Sequence, residues 1–269
     1  MHARLGLMLF ALLPAATTAP AQKPPAPLQL SPGAFGFTNA TGSEIIALDS
    51  VVAPAGIHVA LCGDPATYAV AFARHQTAPP DVYAPAIAAN FGKQNGDVFG
   101  VLGARARPDQ TCYLTGDSTL VTTRVRFDST AQVDCGTGLG HRLMAVKQRR
   151  LRHCWPMADA AGVRVVAALF VPVDTLVLAS IVVATPTQLL FEDFPAAYHG
   201  PGTTTWRVDD GGIFSPQPFA ILFLSRVNGT YVMGLTWAGA EGEDAFLLAA
   251  DSANAFRQVQ MTYRSWPPE

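Results

Sequence analysis

The stretch Trp206 to Phe214, WRVDDGGIF, sets two adjacent carboxylates between an aromatic-basic pair and two glycines. Three kinds of chemistry fit those residue types: an acid/base pair, a cation site, or a turn in which the aspartates bond local amides and the glycines supply positive φ. Two further acidic clusters lie in the C-terminal half, Phe191-Glu192-Asp193-Phe194-Pro195 and Gly239-Ala240-Glu241-Gly242-Glu243-Asp244. Carboxylates from two clusters, folded to within about 5 to 10 Å of each other, can hydrolyse a glycoside. A denser cage of their oxygens can hold Ca²⁺. No cluster has the spacing of a cation-binding loop, however, and each sits where a turn is expected. The candidate catalytic residues are Asp209, Asp210, Glu192 and Glu241. The candidate binding residues are Trp206, Arg207 and Trp237, and neither a metal site nor a cofactor is expected.

Other chemical motifs fail on their spacing. Cys135 to Gly140, CGTGLG, lacks the full G-x-G-x-x-G order and a following acidic residue, and reads as a flexible loop. Leu114 to Ser118, LTGDS, has the Gly-Asp-Ser order of a lipase-like hydrolase block, whose serine leads into a helix. Here Leu120 to Phe127 reads as a strand, and the last histidine, His199, has Ala196 rather than an aspartate three residues before it. Arg142 to Arg152, RLMAVKQRRLR, concentrates five basic residues and can meet an anionic polymer, but such a run is more often a solvated face. The six histidines show no zinc-binding spacing.

The elements that must position these residues follow from the rest of the chain. Residues 1–21 have a charged start, an apolar run too short to span a bilayer, and small residues before Gln22, the pattern of a secretory signal. Residues 22–34 are proline-rich and read as a spacer. The four cysteines, Cys62, Cys112, Cys135 and Cys154, have no C-x-x-C spacing, and in an exported chain two disulfides are expected. Three pairings exist. Cys62 with Cys112 and Cys135 with Cys154, which close separate loops, are favoured.

Hydrophobic residues make up 49% and charged residues 14% of the 269, which fits a well-filled core and excludes disorder. The net charge of −2 offers no pull toward nucleic acid. It is uneven: residues 22–154 carry 12 basic and 9 acidic groups, hence +3, and residues 155–269 carry 5 and 11, hence −6.

Asp64-Pro65 is a helix-start signal, so a helix is expected from Ala66 to Arg74 and a second from Tyr83 to Phe91. Val163 to Thr185 is apolar enough to be weighed as a membrane span, but Pro172 and Asp174 at its centre divide it into two buried strands. Asn228-Gly229 between β-rich runs predicts a two-residue hairpin, with Leu224 opposite Met233, Leu222 opposite Leu235 and Ala220 opposite Trp237. Thr203 to Val208, Ala245 to Ala250 and Phe256 to Trp266 read as further strands.

The chain is thus expected to be mainly β, an antiparallel sandwich or barrel with one or two short helices in the N-terminal half. A disulfide-bonded region spans 35–154 and an antiparallel β region 155–269, either separate or continuous. The function these features favour is an exported, periplasmic or extracellular, non-catalytic binding or envelope-associated module with a protein or glycan partner, and without a transmembrane span. The alternative is a hydrolase that acts on an extracytoplasmic polymer through clustered carboxylates.

Overall fold

The computed structural model describes residues 28, 30–63, 65–80, 84–128, 134–160, 162–200, 202–207, 212–251 and 253–267. The expected signal segment falls outside them. Leu28 and Leu30, expected within the spacer, pack against core residues.

Three antiparallel sheets follow one another along the chain. Strands β1 (Gly33–Thr38), β2 (Glu44–Ala47), β3 (Val59–Leu61), β4 (Thr67–Gln76), β5 (Gly96–Leu102) and β6 (Thr111–Thr115) close a barrel in the order β1-β2-β5-β4-β3-β6. Strands β7 (Leu151–Ala160), β8 (Val163–Phe170), β9 (Leu176–Ala184) and β10 (Leu189–Ala197) form a meander. So do β11 (Phe219–Val227), β12 (Thr230–Ala238), β13 (Gly242–Ala250) and β14 (Phe256–Ser265). Mainly β architecture is therefore realised as a sandwich and a barrel together.

The period-2 alternation of strand side chains assigns each residue to a layer. In β8, Val165, Ala167 and Leu169 face the sandwich interior, while Val166, Ala168 and Phe170 face the opposite side. That opposite side is covered by helix α2 (Thr137–Lys147) through Leu139 and Leu143. Burial on both faces is what made Val163 to Thr185 so uniformly apolar. Among the described residues no helix is long and apolar enough to cross a membrane. On the far side of the β11–β14 sheet, Phe223, Val232 and Leu247 pack against Phe35 and Tyr113 of the barrel. The layers thus run from α2 through two sheets to the barrel.

Both favoured disulfides are present. Cys62–Cys112 lies inside the barrel core, and Cys135–Cys154 ties the start of α2 to β7. They fit an oxidising compartment.

Several local expectations are corrected. Residues 67–76 form β4, not a helix, because the chain turns back at once: Cys62 N donates to Ala66 O and β4 pairs with both β3 and β5. The expected helix at Tyr83 to Phe91 is a 3₁₀ segment, Ala88–Lys93, whose Phe91 packs edge-on against Phe37. The expected strand after Gly116 opens instead as a short helix, α1 (Ser118–Thr122). Asp117 caps it by accepting from Thr119 N at 2.9 Å, and buried Leu120 anchors it. Most of the CGTGLG loop and the first half of the basic run, as far as Lys147, become α2, and the run ends in β7 at Arg152.

The hairpin pairs as expected from Val227↔Thr230 to Phe223↔Gly234, then slips by one residue. Leu222 is bulged, so Ile221 faces Leu235 and Phe219 faces Trp237. A Cβ at Gly234 would lie 2.5 Å from the Phe223 ring, so the glycine makes room for that ring on the barrel side.

Candidate functional site

Two of the three acidic clusters lie among the described residues, and their side chains have different surroundings. Asp209 and Asp210 lie outside those residues. Glu192 and Asp193, expected in a turn, sit within β10, where successive side chains point to opposite faces. Asp193 points to the α2 side, accepting from Lys147 Nζ and, at 2.6 Å, from Ser180 Oγ. Glu192 shares the inner side with Leu190 and Phe194.

Gly242 to Asp244 is the start of β13 rather than a solvated turn. Glu243 is buried against Arg264 and Thr111 at the barrel junction. Glu241 is exposed, and its backbone oxygen accepts from Tyr263 Oη and Trp266 N. No group of three or more His, Cys, Asp or Glu side chains suited to a metal ion occurs among the described residues. Ser118 opens a helix, unlike the strand expected there, but no hydrogen bond joins its hydroxyl to a histidine among those residues.

Glu192 is the described carboxyl whose environment raises it furthest. Burial, and secondly the neighbouring charge of Asp193, push it up from 4.5 to about 7. An inward-facing acid on the edge strand of a sheet also discourages edge-to-edge pairing. The raised value means that the folded state holds the proton more tightly than the unfolded chain. Its contribution to stability is complete below pH 4.5 and lost as pH rises through about 7. Chemical denaturation at a series of pH values should show wild type losing stability across that interval relative to Glu192→Gln; parallel curves would contradict the assignment.

The three candidate binding residues do come together. The segment before β11 has no strand at 203–206; it is held instead by side chains. Trp206 Nε1 donates to Phe194 O at 2.9 Å, and its ring lies 5.5 Å from that of Phe214. Arg207 Nη1 donates to Trp237 O at 2.7 Å and to Asp244 Oδ2 at 2.8 Å, with the guanidinium 5.3 Å from the Trp237 ring centre. Trp237 and Asp244 are cross-strand partners on β12 and β13, so the sheet presents an aromatic and an acid side by side to the arginine. Burial pushes the Asp244 carboxyl up, against the opposing pull of Arg207.

Gly239 completes the corner. A Cβ there would stand 2.8 Å from Arg207 Nε, so a larger residue would push the guanidinium from its present place. Phe194, Phe214 and Phe219 pack around Trp237, the last stacked at 5.0 Å.

Beside this cluster opens a cleft of about 520 Å³. Its apolar wall is Ile213, Phe214, Pro218 and Trp237, and its polar rim includes Arg207, Ser215 and Gln217. Ile213 is 73% exposed at the edge. A cleft with an apolar wall, a few polar groups and an ordered lining is suited to holding a ligand. None of the described residues that line the cleft carries a carboxylate, and Asp244, behind Arg207, is paired with that arginine. Phe214 reaches Trp237 by ring contact and Asp244 by strand register, relations that residue type alone does not reveal. No protein-family model, no curated protein and no solved structure matches the chain.

Proposed function

We propose that the chain is an exported, non-catalytic binding module and that the cleft beside Arg207 and Trp237 takes its ligand. The observation that carries this reading is that Arg207 and Trp237 line one cleft, with Trp206 packed behind its Phe214 wall, while no described lining residue is acidic. The disulfides and the signal-like residues 1–21 support export.

The ligand is an apolar protein side chain with its flanking backbone. A sugar needs an open aromatic face, but the Trp237 ring is crowded by Phe219, Phe194 and Arg207, and Trp155 is stacked on His153. The cleft wall offers instead an apolar surface, with donors and acceptors at its rim.

Selection of a displayed random-peptide library on the folded protein tests the reading. Enriched peptides should carry an aromatic or aliphatic anchor, lose at least about tenfold in affinity to Ser215→Trp, which fills the cleft, and bind Glu192→Gln unchanged. No enrichment, or enriched peptides indifferent to Ser215→Trp, would refute it. Capture of soluble glycans with the same dependence on the cleft would replace the peptide by a carbohydrate.

The hydrolase alternative has one observation in its favour, a carboxyl at Glu192 whose proton leaves near neutral pH. No second described carboxylate faces it from Asp193, whose side chain lies on the other side of the sheet. Cleavage of an extracytoplasmic polymer that is lost in Glu192→Gln would establish it.

A further inference from the structure

The outer face of the β7–β10 sheet carries a second feature, remote from the cleft. Along α2, the turn after it and the start of β7, five cationic side chains follow one another: Arg142, Lys147, Arg149, Arg150 and Arg152. Only Lys147 meets a carboxylate among the described residues, that of Asp193. Arg142 donates to Gln188 O at 3.3 Å and Arg149 to Leu176 O at 3.1 Å, bonds that fix the side chains without cancelling their charge. Arg150 and Arg152 are exposed and have no side-chain hydrogen bond or ion pair among the described residues.

The arrangement differs from that of four arginines elsewhere in the fold. Arg74, Arg164, Arg207 and Arg264 are each placed against a carboxylate. A guanidinium offers five N–H donors, so the ridge arginines keep most of theirs for an external acceptor.

One end of the ridge is a built pocket of about 280 Å³, between α2 and the β7–β8 turn. Arg142 and Arg164 line it, with Leu139, Gly162 and Thr185. Arg164 spends Nε and Nη2 on Asp159 and Nη1 on Cys135 O. The acid in the pocket is thereby neutralised, and the charge left over is that of Arg142. From there the second half of α2, about 8 Å from Arg142 to Lys147, leads toward Arg149, which bonds the start of β9 at Leu176. A single pocketed cation followed by a line of unneutralised ones matches a polymer with repeated negative charge better than a small anion.

We propose that the α2 ridge binds a phosphate-bearing polyanion, one phosphate group entering the Arg142 pocket while Arg149, Arg150 and Arg152 follow the polymer backbone. The site is independent of the peptide cleft, and each can fail without the other.

Long-chain inorganic polyphosphate is the first probe, with inorganic phosphate and vesicles of mixed phosphatidylglycerol and phosphatidylcholine as separate arms. Calorimetric titration should find polyphosphate bound, with affinity falling roughly fiftyfold between about 50 and 200 mM salt, the slope of about 3 that four arginine–phosphate contacts give. The triple variant Arg142→Gln, Arg149→Gln, Arg152→Gln should lose at least about tenfold in affinity and flatten the salt slope by about 2. The charge-matched triple Lys93→Gln, Arg107→Gln, Arg257→Gln, on other surfaces, should bind as wild type, with the thermal midpoint of each triple confirming the fold. Equal losses in the two triples, no polyphosphate binding at the lower salt, tighter binding of inorganic phosphate, or binding to the vesicles alone would each overturn the proposal.

Discussion

Replacing Arg264 by methionine is expected to lower the stability of the protein by about 3–5 kcal/mol, because the change strands a buried acid. Arg264 is only 2% exposed. From β14 it donates to Ala86 O, Asp109 O, Thr111 Oγ1, Glu243 Oε1 and Asp109 Oδ1, and its guanidinium lies 4.6 Å from the Phe37 ring centre. It therefore joins the last strand of the sandwich to three parts of the barrel region. Glu243, itself buried, has Arg264 and Thr111 as its partners. With Arg264 gone it must either hold a charge in an apolar layer or take up a proton. Either route is unfavourable. The triple replacement Arg264→Met, Glu243→Leu, Thr111→Val should recover most of the loss, since a well-packed apolar group can substitute for a buried ion pair. Urea denaturation midpoints of the three proteins decide the matter. A single variant within about 1 kcal/mol of wild type would show that the network contributes specificity and not stability.

The second large effect concerns the barrel disulfide. Cys62 and Cys112 are 50 residues apart and Cys135 and Cys154 only 19. The loop-entropy relation assigns about 4 kcal/mol to the first and about 3 kcal/mol to the second. The first pair also sits in the barrel interior among Ala34, Ala60 and Leu114, where its loss would loosen the layer on which the β11–β14 sheet rests. Cys62→Ala with Cys112→Ala should therefore unfold at lower denaturant than Cys135→Ala with Cys154→Ala. The reverse order would mean that pinning α2 to β7 matters more than closing the longer loop.

Much of this architecture was legible because it rests on local rules. Asn228-Gly229 marked its hairpin through the positive φ that both positions adopt. Val163 to Thr185 resolved into two strands because Pro172 and Asp174 interrupt it, and Asp174 does adopt positive φ in the turn. The failures came where tertiary pairing overruled local preference. Asp64-Pro65 is a sound helix-start signal, but the pairing of β4 with two barrel strands outweighs it. Gly138 and Gly140 made α2 read as a loop, whereas its stability comes from Leu139 and Leu143 on the sheet and from the nearby disulfide.

The candidate site was half legible for the same reason. Trp206, Arg207 and Trp237 could be named from their types, and the structure unites them. Glu192-Asp193 and Glu243-Asp244 read as turns because runs of acid and glycine usually mark turns, yet both pairs lie in strands. In β10 and β13 the alternation of strand side chains separates neighbouring acids instead: Glu192 from Asp193, and Glu243 from Asp244. Leu222, whose bulge shifts Trp237 from Ala220 to Phe219, carries no sequence signal of its own.

The central claim is that function resides in binding at the Arg207–Trp237 corner rather than in carboxylate chemistry. Indole N–H resonances report on that corner directly, since Trp237 lines the cleft and Trp206 braces it. On titration with a library-selected peptide, the Trp237 signal should move in a saturable way, the Trp155 signal should move little, and the peptide should be recovered intact. A peptide that is cleaved, or one that binds while leaving Trp237 unmoved, would contradict the account.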